Sequence, residues 1–489
     1  MLVDALLQSA ARSPGKPAVS DARLRLSYRR LVAASFALRG ILQAETERER
    51  VGIMLPAGGG FAAALFGTLW AGKVAVPLNF LLNPAELRSV VEDAGIDRIV
   101  SVHHFDEMLG SLPTRSLALE DLGLRSRIFR ALLRPKPAPP RVGPGDTAVL
   151  LYTSGTDGSP KGVVLSYGNL LSNCEDCIAT ARITPAHRFL NILPPFHVFG
   201  LTANVLIPVV LGASAHCIPR FQPAAVVEAM RQEHPSILMA IPSMYAALLR
   251  AKDTPPDTYR GLYLAISGGE PLHTHVADGF RSRFGIELLQ GYGLTETSPV
   301  VSLNLPDAHR PGSIGRPIRN AQVRIVNDDG VYVPHGTDGE IQVRGPGVMQ
   351  GYHGRPDLTQ AAVSADGWLR TGDVGRQDAD GFLSITGRKK EMMIVGGENV
   401  FPREIEAALL DHPAVAEAAV VGVPDASRGE VPAAFVICRE GRSATDGELR
   451  AFVRERLAGY KVPRFVRVAE ELPRSPTGKI HKRLLKQML

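Results

Sequence analysis

TAVLLYTSGTDGSPKGVVLSYGNL, residues 147–170, joins an apolar, strand-forming run to a loop rich in glycine and hydroxyl groups. The run TAVLLY (147–152) passes directly into Thr153–Gly162, which carries three glycines, four hydroxyls and one lysine. Glycines expose backbone N–H groups, hydroxyls donate further hydrogen bonds and Lys161 adds a point charge, a set that suits a polyphosphate, with ATP as the natural candidate. A Walker A loop is excluded, because Lys161 follows Pro160 rather than glycine and no Ser or Thr comes after it. Taken alone, such a loop is a surface linker at least as often as a nucleotide site, so its neighbours decide.

Outward from this loop, short β-branched runs alternate with helical patterns up to about residue 290. VGIML (51–55), a helix across Phe61 to Trp70, VAVPL (74–78), SILMAI (236–241) and YLAISG (263–268) are examples. The alternation predicts parallel strands joined by right-handed helical crossovers, with ligands at the strand C-termini. From Ala321 to about Ile385 the helices give way to AQVRIVN, GEIQVRG and GFLSITG, a β-rich subdomain. Beyond Arg388 come a helix opened by Pro402, strands AEAAVVGV and PAAFVIC, a helix from Glu448 to Leu457 and strand FVRVA. The expected class is α/β: a large N-terminal domain (1–387) of parallel αβα layers plus the β-rich part, and a small α+β C-terminal domain (388–489), free to move.

The length of 489 residues excludes a small binding module, and 45% hydrophobic with 21% charged residues excludes wholesale disorder and a polytopic membrane protein. The net charge of +6 favours anionic ligands and demonstrates no nucleic-acid partner. The start, MLVDALLQSAARS, carries Asp4 and lacks a basic leader region, so a secretory signal is not expected and a cytoplasmic location is. Val198 to Cys217 is the most membrane-like run, but Asn204 and Pro208 interrupt it, and it reads as a buried helix leading into a strand. Four cysteines are too few for a disulfide framework, and the Cys174–Cys177 pair reads as two helical residues without function. RSRIFRALLRPKPAPPR (125–141) is basic and proline-rich; a solvated connection is the bland reading, contact with an anionic membrane or a carrier protein the sharper one.

LYTSGTDGSPKGVVLSYGNL (151–170), SGGEPL (267–272), QGYGLTETSPV (290–300), GWLRTGDVG (367–375), GRKKEMMIVGGENVFPREIE (387–406) and PRSPTGKIHK (473–482) resemble, in order and spacing, the motifs of the adenylate-forming superfamily of acyl-CoA synthetases, luciferases and nonribosomal adenylation domains. The resemblance covers nearly the whole chain. It implies activation of a carboxylate by Mg-ATP to an acyl-adenylate with release of pyrophosphate, then attack of a thiol on the acyl carbon with AMP leaving. Joining two anions requires fixed positive charge where the negative charge develops.

By the same resemblance, Thr153, Ser154, Gly155, Thr156 and Lys161 hold the β- and γ-phosphates. Glu296, with the Thr153 hydroxyl, binds Mg²⁺, and Thr295 donates to the α-phosphate; a carboxylate beside triphosphate would be repulsive without a cation. Gly268, Gly269 and Glu270, with Gln290, Gly291, Tyr292 and Gly293, form the adenine slot, flanked by Ile385 where relatives often carry an aromatic. Asp373 accepts from both ribose hydroxyls and Arg388 reaches the ribose or phosphate. Lys479 bridges the incoming carboxylate and the α-phosphate as the catalytic lysine. Lys390 stands at the hinge position, and rotation there brings Gly396 and Gly397 beside the pantetheine arm of CoA. His197 matches a histidine that lines or gates the acyl pocket, although a histidine among apolar neighbours is as readily a core residue.

The acyl pocket is expected between Phe196–Leu201, Met239–Pro242 and Pro299–Val301, with no Lys, Arg or Asp to pair a polar side chain, which favours a fatty or other apolar acid. Similarity of 195–213 and 291–306 to acyl-acyl carrier protein synthetase domains leaves CoA or a phosphopantetheine carrier as acceptor. Monomer and homodimer are both compatible, with peripheral membrane contact at most. Asp157 departs from the Thr or Ser usual in relatives and sets an anion near the γ-phosphate. An ATP hydrolase or kinase using the same loop would release ADP, and a non-catalytic adenylate or fatty-acid binder would release nothing.

Overall fold

The computed structural model describes residues 1–154, 160–425, 427–474 and 480–488. Contacts divide the chain into two compact units, the larger made of Met1–Leu272, Val276–Gln322 and Val343–Leu369, the smaller of His273–His275, Val323–Gln342 and Arg370–Leu489.

Two sheets organise the larger unit. Among the described residues the first has nine strands, and its centre is the parallel run Leu289–Gly293, Leu264–Ser267, Ile237–Ala240, Arg188–Asn191, Ser214–Cys217 and Pro17–Ser20. The second has seven, with Thr147–Ser154, Val74–Pro77, Arg50–Ile53, Arg98–Ser101 and Arg115–Ala118 parallel. The expected β-branched runs are all strands here.

Side chains alternate between the faces of each strand, so each sheet feeds two cores. Ile237, Met239, Leu264 and Ile266 enter a core shared with the second sheet's Val51, Ile53, Val149 and Leu151, whereas Leu238, Ala240 and Ala265 enter another under Val276, Phe280 and Phe284. Helix Gly59–Trp70 supplies Phe61, Phe66 and Trp70 to the shared core and is buried nearly all round, which explains its unbroken apolar sequence. Each such side chain contributes roughly 1.5–3 kcal/mol by leaving water.

The run 198–217 is indeed buried and ends in a strand. It is a helix broken into Val198–Leu201, a π-helical turn Thr202–Leu206 and Ile207–Leu211, followed by Ser214–Cys217. Among the described residues no helix is long and apolar enough to cross a membrane. Cys174 and Cys177 are buried in helix Tyr167–Ala181, and burial pushes both thiols up, Cys174 also feeling Cys177 and Cys177 feeling Asp176; neither is poised as a thiolate.

Two features differ from the expectation. The segment read as a proline-rich connection contains a ten-residue helix, Leu124–Leu133. The second is strand Pro160–Ser166, which folds back antiparallel on Thr147–Ser154 within a stretch expected to hold parallel strands joined by helical crossovers.

The smaller unit holds the four-stranded sheet order Gln322–Val326, Gly339–Arg344, Leu369–Gln377, Leu383–Arg388. It also holds an α+β body in which Val415–Asp425 and Gly429–Cys438 pair antiparallel under helices Pro402–Leu410 and Asp446–Arg454.

Candidate active site

In the hairpin of the larger unit, Thr153 lies opposite Lys161 and Ser154 opposite Pro160. The pairing brings a hydroxyl and a cation to the two ends of the intervening loop. Gly155, Thr156 and the departure at Asp157 lie outside the described residues. A third strand, Gly351–Tyr352, pairs antiparallel with the outer one, Tyr352 opposite Val163. Gly162 sits under this edge: a Cβ there would lie 3.0 Å from Leu150 Cδ1, 3.1 Å from His353 Cβ and 3.2 Å from the Tyr152 ring.

That third strand delivers a residue the sequence reading passed over. Tyr352 donates its phenol to Glu296 Oε1 at 2.8 Å. Burial first, and the Glu296 carboxylate next, push the Tyr352 phenol well above its ordinary range, so it stays protonated and donating. Glu296 itself sits in the 3-10 turn Thr295–Thr297, tied by Met349 N–H to Glu296 O at 2.9 Å.

Two buried asparagines of helix Tyr167–Ala181 clamp the loops around that turn. Asn173 Nδ2 donates to Thr297 O (3.2 Å) and Val300 O (2.8 Å), while its Oδ1 accepts from Val300 N–H at 3.2 Å. Asn169 Nδ2 donates to Pro346 O and Val348 O, both at 2.8 Å, and its Oδ1 accepts from Ser166 N–H at 2.9 Å in a capping box. Both amides are thus fully used. Gly347 has to be glycine at the crossing, since a Cβ would come within 2.8 Å of Thr297 O. Asp176, one turn further along the helix, accepts from Asn320 Nδ2 at 2.6 Å, and burial pushes its carboxyl above the ordinary range.

The expected adenine slot is assembled from two strand ends. Gly268 is buried, and a Cβ on it would meet the Phe199 ring at 3.3 Å; Gly269 follows with φ +84°, leading to the partly exposed Glu270. On the adjacent strand, Gln290 O accepts from Asn304 N–H (3.1 Å) and Nδ2 (3.0 Å). Gly291 and Tyr292 pair with Leu303 and Ser302, and a Cβ on Gly293 would fall 2.1 Å from Pro299 O. A side chain at Gly268 or Gly293 is thus met by Phe199 or by Pro299 O. His197 stands before helix Val198–Leu201 with its ring 4.8 Å from that of Phe196, which meets Phe80 edge-on at 4.8 Å. Its surroundings are aromatic, and Phe196, Leu201, Met239 and Val301 are all buried.

Within the smaller unit, Asp373 is 2% exposed on strand Leu369–Gln377, and Arg388 Nε reaches its Oδ1 at 2.8 Å from the paired strand. Ile385 lies opposite Gly375 on the same pair. Lys390 is exposed in the 3-10 turn Lys389–Glu391. Gly396 and Gly397, at φ +61° and +91°, form a two-residue hairpin between Met393–Val395 and Glu398–Val400, a turn that asks for positive φ at both positions. Lys479 lies outside the described residues. Lys482, the last residue of the PRSPTGKIHK motif, bonds Glu391 (2.6 Å) and Glu406 (2.9 Å); burial works against its charge, but the two carboxylates outweigh burial and raise its pKa.

Among the described residues no cluster of three or more His, Cys, Asp or Glu side chains could hold a metal ion alone. A lone hard carboxylate, fixed by a phenol beside a phosphate-type hairpin, instead fits Mg²⁺, which keeps waters and shares substrate phosphate oxygens.

Residues 6–353 match the AMP-binding enzyme family and residues 404–479 the AMP-binding enzyme C-terminal domain. The chain is 36% identical to a long-chain-fatty-acid–CoA ligase of Escherichia coli O6:H1, over 99% of this chain and 94% of that one. It is 38% identical to a sulfoacetate–CoA ligase of Cupriavidus necator, over 92% and 88%. The crystal structure of ATP-bound MatB from Rhodopseudomonas palustris superposes with a TM-score of 0.90 at 28% identity, covering 100% of this chain and 99% of that one.

Proposed function

The chain belongs to the AMP-binding enzyme family, and from that premise we propose that it is an AMP-forming acid–CoA ligase acting on an apolar, fatty carboxylic acid. The observation that carries the reading is the Glu296 carboxylate held by Tyr352 and the asparagine clamps beside the Thr153–Lys161 hairpin. This is a rigid acidic point next to a phosphate-binding edge, as an adenylating enzyme needs.

In this reading Thr153, Ser154, Gly155, Thr156 and Lys161 hold the β- and γ-phosphates of ATP, and Glu296 with the Thr153 hydroxyl holds the Mg²⁺ that neutralises them. Gly268–Glu270, Gln290–Gly293 and Ile385 line the purine, Asp373 accepts from the ribose hydroxyls and Arg388 steadies that carboxylate. Thr295 and Lys479 meet the α-phosphate as the acid's oxygen attacks it, and pyrophosphate leaves. The thiol of CoA then attacks the acyl carbon and AMP leaves. We place the domain boundary between residues 387 and 388, with Lys390 as hinge and Gly396–Gly397 beside the thiol's arm.

The similar proteins named for long-chain fatty acid and for sulfoacetate act on acids of opposite polarity, so the choice rests on the pocket lining. Phe196, Val198, Leu201, Met239 and Val301 are buried and apolar and offer no cation to pair a sulfonate, which supports an oily acid. The test is acid-dependent exchange of pyrophosphate into ATP across fatty acids of increasing length and sulfoacetate, with CoA added afterwards and AMP identified as product. Lys479→Ala is the control. ADP as the nucleotide product, or exchange driven by sulfoacetate alone, overturns the reading.

A further inference from the structure

The chain's six surplus positive charges are not spread over it. Residues 122–145 contain six basic side chains, Arg125, Arg127, Arg130, Arg134, Lys136 and Arg141, and no acidic one; outside this stretch 49 basic residues balance 49 acidic. The whole net charge of the protein therefore sits on one helix and its proline-rich exit.

That helix, Leu124–Leu133, has two faces of different character. Leu124 and Ile128, four apart, pack inward on the larger unit's core, and Ala131, three further on, is buried. On the opposite side Phe129 is 63% exposed and Leu133 69%, four residues apart and therefore adjacent on the surface, with Arg125 and Arg130 beside them. Leu133 is the most exposed large apolar side chain among the described residues, and Phe129 is matched only by Tyr332 after it. Some exposed arginines elsewhere find carboxylates, as Arg25 does with Glu233 and Arg182 with Asp307. Among the described residues Arg125, Arg127, Arg130 and Arg134 have no ion-pair partner; Arg127 donates only to the backbone O of Leu122 at 3.0 Å. Pro135 then ends the helix and the chain leaves extended.

A bare aromatic–aliphatic pair costs free energy in water, and unpaired arginines around it repel one another. An anionic bilayer surface relieves both, its headgroups taking the guanidinium groups while the acyl boundary takes the rings and methyls. We propose that helix Leu124–Leu133, with Arg134–Arg141, is a docking surface for anionic lipid membranes, laying Phe129 and Leu133 into the interface. A nucleic-acid surface would use the charges but leave the apolar pair wet. The proposal does not depend on the reaction assigned above, although a surface that collects oily acids is where such a substrate partitions.

The full-length chain is sedimented with vesicles of phosphatidylcholine, and of phosphatidylcholine mixed with phosphatidylglycerol, at low and high salt. Binding to the phosphatidylglycerol vesicles alone, weakened by salt, is expected. Each arginine exchanged for glutamine in Arg125→Gln, Arg127→Gln, Arg130→Gln and Arg134→Gln should lower partitioning about fivefold. The pair Phe129→Ser and Leu133→Ser should lower it at least about tenfold with the charges intact. Unchanged melting curves show that the variants fold. Absence of binding by the native chain, equal binding to both vesicle types, or native-like binding by any of the folded variants overturns the proposal, as does retention by an acidic carrier protein when vesicles are not bound.

Discussion

The larger unit fixes its candidate acidic point with neutral amides, while the smaller unit fixes its own motifs with charges. Around Glu296 the restraints are Asn169, Asn173 and the Tyr352 phenol, each with its donors committed to backbone carbonyls or to one carboxylate oxygen. In the smaller unit they are Arg388 with Asp373, Lys389 with Asp328 at 2.7 Å, and Lys482 with Glu391 and Glu406. Amide clamps are directional, indifferent to salt and to pH near neutrality, and carry no ion-desolvation cost. Ion pairs hold comparably but exchange partners readily. The difference matches a site that must not move in one unit and motifs that, in the proposed cycle, must regroup in the other.

The comparison can be broken most sharply at its acidic centre. Glu296→Gln should lower pyrophosphate exchange about 10²–10³-fold, the scale of losing one preorganised electrostatic group, with the melting temperature nearly unchanged. Next comes the clamp: Asn173→Ala strands Thr297 O and Val300 O and should reduce exchange roughly 10–100-fold at every salt concentration, because it displaces the turn rather than altering charge. An equal loss restored by changing ionic strength would mean that the amides are not the rigid part. In the smaller unit, Lys482→Met leaves two partly buried carboxylates facing each other and should cost about 1–3 kcal/mol by denaturant unfolding, with a salt dependence that the Asn173 variant lacks.

The smallest effect should fall at Asp176. Burial raises its folded-state pKa, so the folded protein holds that proton more tightly than the unfolded chain, and the charged form is penalised at neutral pH. Asp176→Asn should stabilise the protein by about 0.5–1 kcal/mol at neutral pH, and the gain should vanish as pH falls through the raised pKa toward the ordinary carboxylate range. A gain that grows on acidification would reverse the assigned cause.

The strands of both sheets were legible because their β-branched runs are buried on both faces, which leaves a continuous apolar signal. The glycine-rich turns were legible because chemistry and conformation ask for the same residue there. What escaped depended on pairing across long separations. Tyr352 lies 56 residues beyond Glu296 and arrives only because its strand adds to the hairpin edge. Asn169, Asn173 and Asp176 do leave a mark, an i, i+4, i+7 polar row on a helix whose other buried residues are Tyr167, Leu170, Cys174, Cys177 and Ala181, but a polar row looks the same whether it faces water or a loop. The helix Leu124–Leu133 was hidden for the opposite reason, its apolar residues being divided between an inward and an outward face so that no single stripe emerged.

The hairpin tip at Gly396–Gly397 is constrained by handedness and not by crowding. A methyl group added to either residue in the L configuration would find no atom within 4 Å, yet both occupy the half of backbone space that L-amino acids enter at a cost of roughly 1–2 kcal/mol each. A D-alanine installed at either position by semisynthesis should therefore be accommodated where its mirror image is resisted, giving chemists a chirally selective handle on an otherwise open tip.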